Sequence, residues 1–132
     1  MPVRLTLERS DSVHGTRSSL TYDKSYANLP ICSFCSTDLS NANLSEADLS
    51  DAILTNADLS DATLQFAILR NANLDGANLR NADLSNSLFE NANLSNAILD
   101  NVTILDTYLV GTNLRNADLS NTLFIGTALE TW

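Results

Sequence analysis

The sequence predicts an all-β solenoid, a chain that turns a corner every five residues and stacks its coils into a rod. Three observations carry that prediction. A large apolar residue recurs every fifth position from Leu29 and Phe34 through Leu39, Leu74 and Phe89 to Phe124 and Leu129, 21 members without a polar interruption. Two positions before each stands a small or modest residue, from Ala27 and Cys32 through Ala42, Ala72 and Ser87 to Thr122 and Thr127. A period of five also fits neither regular element. In a helix it advances each leucine by about 140°, which leaves no apolar face. In a strand an odd period sends successive leucines to opposite sides. Both series point inward only if the chain turns a corner each time. Stacked coils then pair their backbones with the coils above and below. The small position lies where the backbone nears the axis, and the large one fills the centre.

Composition bounds what such a rod can do. The 132 residues suffice for one domain, and 16 Asp and Glu against 7 Lys and Arg give a net charge of −9. The excess belongs to the repeat: residues 27–132 hold 13 acids against Arg70, Arg80 and Arg115, whereas residues 1–26 hold Arg4, Arg9, Arg17 and Lys24 against Glu8, Asp11 and Asp23. A basic nucleic-acid face and direct nucleic-acid binding are therefore not expected, nor is adhesion to anionic lipid. Glu8, Arg9 and Asp11 interrupt any signal-peptide core, and no apolar run approaches the roughly 20 residues of a membrane span. A cytoplasmic location without membrane contact is the default expectation.

The units Ala42-Asn43-Leu44-Ser45, Ala47-Asp48-Leu49-Ser50, Ala57-Asp58-Leu59-Ser60 and Ala82-Asp83-Leu84-Ser85 resemble the A(D/N)LXX consensus of the pentapeptide-repeat proteins. The resemblance implies that family's right-handed quadrilateral β-helix, with four pentads to a coil and about five coils here. It divides the chain into a capping segment over residues 1–26 and the β-helix over 27–132. Within the segment, Val3, Leu5 and Leu7 alternate with Arg4 and Thr6, which suggests a short strand, and Asp11–Ser19 reads as a polar loop. Solenoid ends need covering, and capping the first coil is the expected task of this segment.

Catalysis has no inventory to draw on. The single histidine, His14, falls in the irregular N-terminal segment. Cys32 and Cys35 form a C-x-x-C with no second pair to complete a zinc site and no helix start for redox work. Two readings stay open for them: plain packing, or a local disulfide bracing the first coil. No catalytic residue, cofactor or metal is expected, and the chain is not expected to be an enzyme.

The outward positions form four faces, because residues twenty apart stack. One face is the most acidic, with Asp38, Asp58, Asp61, Asp100 and Asp118 opposed by Arg80 alone, and its corner column Asn41, Asp61, Asn81, Asn101 and Asn121 suggests an amide ladder. Another carries apolar side chains outward at Ile68, Leu88, Tyr108 and Val110, and Phe66, Leu105 and Ile125 join them at the adjoining corner. Such a cluster implies a covered surface, against a second copy, the N-terminal segment or another protein. Single outward residues such as Asn73 are expected to tolerate change. The functional expectation is a non-catalytic structural or protein-interaction scaffold. The alternative that the resemblance offers is an acidic DNA mimic acting on a type II topoisomerase, gyrase, which it would inhibit or protect. A rod of about 25 Å matches only about seven base pairs of DNA unless it dimerises end to end.

Overall fold

A computed structural model describes residues 34–128, together with two short strands, β1 (Glu8–Arg9) and β2 (Ser18–Ser19), which pair antiparallel. Residues 34–128 form a right-handed quadrilateral β-helix of just under five coils. Its cross-section follows from register. Every bridge joins residues twenty apart in parallel, as in Asp38–Asp58–Asn78–Ile98–Asp118 and Asp48–Ile68–Leu88–Tyr108–Ala128. Four pentads therefore close one coil. Two stretches are extended enough to form longer strands, β3 (Thr103–Leu105) and β4 (Leu123–Ile125), and they too pair in parallel one coil apart.

The interior holds the two series. Leu44, Leu54, Leu64, Leu74, Phe89 and Leu99 are fully enclosed, and Ala52, Ala72 and Ala92 fill the small slots between them. Each coil is tied to its neighbours by backbone bonds of uniform length, for example Leu54 N–H to Asn73 O and Leu74 N–H to Asn93 O, both 2.7 Å. Ser87, Thr107, Thr112 and Thr122 stand where alanine is usual without leaving a buried hydroxyl unpaired. Thr107 Oγ1 donates to Leu84 O, Thr112 Oγ1 to Phe89 O and Thr122 Oγ1 to Leu99 O, at 2.7–2.8 Å. Phe34 is as buried as the mid-rod leucines, while Leu114, Leu119 and Phe124 of the last described coil are only half-buried.

The corners explain the remaining positions. Leu39 O accepts from Ala42 N–H at 3.1 Å, and the same i to i+3 bond recurs along the rod except after Ile104 and Phe124. The third residue of each such turn has positive φ, from Ser36 at 55° through Asn71 at 58° to Asn121 at 56°. Asn, Asp and Gly dominate that column because they tolerate the left-handed region best. Where Asp or Asn stands before the leucine, its side chain completes the turn. Asp48 Oδ1 accepts from Ser50 N–H at 3.1 Å, and Asn73 Oδ1 accepts from Asp75 N–H at 3.1 Å.

Three expectations need correction. Ser18–Ser19, read as the end of a loop, is strand paired with Glu8–Arg9. Asn73 is not an indifferent surface residue: its Oδ1 also accepts from Asn93 Nδ2 at 3.1 Å, so Asn73→Ser removes a turn bond and a rung. The amide ladder runs Asp61–Asn81–Asn101, but Asn121 Nδ2 turns aside to Asp100 Oδ1 at 2.9 Å. The strand expected at Val3–Leu7 and the proposed cap over 1–26 lie outside the described residues apart from β1 and β2.

Candidate protein-interaction face

The apolar cluster divides in two when placed on the rod. Ile68, Leu88 and Tyr108 form one vertical ladder on one face, with Phe66 at the corner beside Ile68. Leu105 and Ile125 belong to the preceding face, on β3 and β4, where Leu123 joins them. Leu123 is exposed and was not named in the sequence analysis, although it holds the same pentad position as Ile68, Leu88 and Tyr108. Val110 tops a third column, Ser50–Arg70–Glu90–Val110, in which the Arg70, Glu90 and Val110 carbonyls accept from Asp51, Asn71 and Asn91 N–H of the preceding coil. Phe66 and Tyr108 are 57% and 51% exposed, whereas Ile68, Leu88, Leu105 and Val110 are half-buried against their neighbours. Ile125 is exposed.

Phe66 is the anomaly of the corner column. Its φ is 59°, and every other non-glycine residue in that conformation is Asn, Asp, Glu or Ser. A bulky aromatic there carries a conformational cost of about 1–2 kcal/mol that Asn largely avoids. Phe66→Asn is therefore expected to raise stability by about 0.5–1 kcal/mol in urea melts. A loss of stability of that size would show instead that the ring packs on the rod.

Beside the apolar ladder, Arg70 donates to Glu90 through Nε at 3.2 Å and Nη2 at 3.1 Å. Burial pushes the Glu90 carboxyl upward, but the hydrogen bonding from Arg70, its own backbone N–H and the Arg70 charge together hold the group below its ordinary value. This pair was not singled out in the sequence. The only local clue was opposite charges twenty residues apart.

The acidic face differs in character. Asp38 Oδ1 accepts from the Ser40 hydroxyl and N–H at 2.6 and 3.0 Å, and Asp58 Oδ1 from Ser60 N–H at 3.0 Å and Asn78 Nδ2 at 3.1 Å. Asp118 holds Ser120 in the same way, Asp61 accepts from Asn81 Nδ2, and Asp100 meets Arg80 Nε at 3.2 Å. Hydrogen bonds from Ser40 and Ser120, first from the hydroxyl and then from the N–H, hold Asp38 and Asp118 below the ordinary carboxylate range. These acids build turns and rungs before they do anything else. Cys35 is disulfide-bonded, and the chain's other cysteine, Cys32, lies outside the described residues. Among the described residues no group of three or more His, Cys, Asp or Glu could hold a metal ion, and no helix is long and apolar enough to cross a membrane.

A rigid β-helical rod with one partly apolar face defines a solenoid of the repeat-protein class. The chain belongs to the pentapeptide-repeat family, whose model matches residues 25–56, 57–96, 77–116 and 106–130. Among solved structures it is similar to a pentapeptide repeat protein from the Arabidopsis thaliana thylakoid lumen, at 29% identity and a TM-score of 0.56 over 68% of this chain and 59% of that one. It is also similar to a pentapeptide repeat protein from Nostoc, at 36% identity and a TM-score of 0.46 over 66% of this chain and 64% of that one. A plasmid-mediated fluoroquinolone resistance protein, QnrB1, matches at 19% identity and a TM-score of 0.39 over 71% of this chain and 66% of that one. Of these three, the Arabidopsis protein superposes well enough to support a shared fold. The chain spans less than two thirds of the first two proteins' length. No curated protein sequence matches significantly.

Proposed function

We propose that the protein is a non-catalytic scaffold that binds another protein through the face of Phe66, Ile68, Leu88 and Tyr108. The observation that carries this reading is Phe66, an exposed aromatic held in a left-handed corner where the repeat otherwise places Asn, Asp, Glu or Ser. Stacked coils make that face flat and stiff, so side chains presented on it lose little freedom on binding. Exposed aromatic and aliphatic groups clustered on such a support are the usual anchors of protein contacts.

The acidic face supports the topoisomerase reading less well. Its carboxylates are explained by the turns and rungs they hold, so the charge needs no phosphate-mimicking role. Net charge then follows from the repeat's own use of Asp.

A Leu88→Lys, Tyr108→Lys double variant tests the proposal. Both side chains already point outward, so the fold and its melting transition should survive. Used as bait in an extract of its native host, the variant should lose at least about tenfold of the proteins that wild type retains. A variant that melts like wild type and retains the same proteins in the same amounts would overturn it.

A further inference from the structure

We infer that the Ile68–Leu88–Tyr108 face pairs with the same face of a second copy of this chain, the two rods lying antiparallel. The inference rests on the reading of this face as a protein-binding surface and adds what occupies it. The columns set the geometry. Ascending the rod, the central column reads Asp48, Ile68, Leu88, Tyr108, and the column beside it reads Ser50, Arg70, Glu90, Val110. A two-fold axis lying in the face, along the strands and between the coils of Ile68 and Leu88, keeps each column against itself and reverses its order.

Under that operation the surface complements itself. Ile68 meets the partner's Leu88, and each Arg70 meets the partner's Glu90, so both carboxylates gain a second guanidinium. Tyr108 meets the partner's Asp48 at both ends of the column, where its phenol can donate to the carboxylate. Shifting the axis by half a coil, to the level of Leu88, would bring Glu90 against the partner's Glu90, so charge selects the first register. One like-charge meeting remains, Glu46 with the partner's Asp106, and both stand exposed at the corner rim where water and salt screen them. The faces of two such sheets can pack with aligned strands about 10 Å apart. The face as a whole holds Glu46, Asp48, Glu90 and Asp106 against Arg70, so it is the register, and not the net charge, that sets opposite charges together.

Four coils at about 4.8 Å make a face about 19 Å tall, which buries less than the roughly 800 Å² per partner of a standard interface. The dimer is then a weak, exchanging one, with a midpoint on the order of 10–100 µM. Sedimentation over that range tests it, with Arg70→Glu and Glu90→Arg made separately. Wild type should shift toward twice the protomer mass. Each variant alone should stay monomeric, because like charges then face each other across the axis. Mixed one to one, the two variants should regain association, since one supplies two carboxylates and the other two guanidiniums. Arg70 and Glu90 pair at the surface, so both variants should keep the wild-type melting transition. Wild type that stays monomeric throughout, variants that associate as wild type does, or a mixture that stays monomeric would each overturn the inference. A monomeric wild type whose Leu88→Lys, Tyr108→Lys variant still loses retained proteins would leave the scaffold reading standing and remove only the second copy.

Discussion

Leu74→Ala is expected to destabilise the rod by about 2–5 kcal/mol, toward the upper end of that range. Leu74 is fully buried in the middle of the stack, between Leu54 and Leu94 at the same register one coil below and above. The cost of a lost core methyl group depends on how far the surroundings can close over the gap. Here they cannot close far, because Leu74 N–H and Asn73 O are pinned to the coils on either side at 2.7 Å, and Ala77 N–H is bonded to Leu74 O at 3.0 Å. The cavity should persist. Urea denaturation checks the value, and a loss below about 1 kcal/mol would mean that the coils slide to fill the space.

Ala72→Leu should fail for the opposite reason, at about 1–3 kcal/mol or more. Ala72 is buried where the chain leaves a corner, two residues before the core leucine, and Ala52 and Ala92 occupy the slots below and above. Its N–H is committed to Leu69 O at 3.1 Å, so the backbone cannot retreat to admit a larger side chain. A neutral result in the same denaturation series would show that the slot is roomier than the burial implies. Ser87, Val102 and Thr107 mark how much such a slot accepts: a hydroxyl that finds a carbonyl, with or without a methyl group beside it, or the two extra carbons of valine.

Most of the architecture was legible because the repeat states it redundantly. The inward Leu and Ala series, the coil of four pentads that the resemblance implied and the outward direction of Phe66, Ile68, Leu88 and Tyr108 all follow from register, and the bridges twenty residues apart agree with it. What register does not contain is the backbone conformation at each corner. The Asn, Asp and Gly column was a readable signal for positive φ, and without that reading Phe66 looked like one apolar residue among seven. Hydrogen-bond choices were also hidden. Whether Asn121 reaches Asn101 or Asp100 depends on side-chain reach at a corner, and Asn73 looked dispensable until its two bonds were in view. The split of Leu105 and Ile125 from Tyr108 is a matter of which side of a corner a residue stands on, and corners are where a one-residue shift changes the face.

Site-specific photocrosslinking tests the assignment of the working face most directly. Tyr108 and Asp118 are ten residues apart, half a coil, so they stand at nearly the same height on opposite sides of the rod, one on the apolar ladder and the other on the acidic one. Both are exposed, and a photoreactive phenylalanine fits either position without entering the core. Irradiated in the native host's extract, the protein carrying the probe at Tyr108 should form discrete protein adducts, while the probe at Asp118 should form few. Adducts that form at Asp118 and not at Tyr108 would contradict the account and return the acidic face to first place.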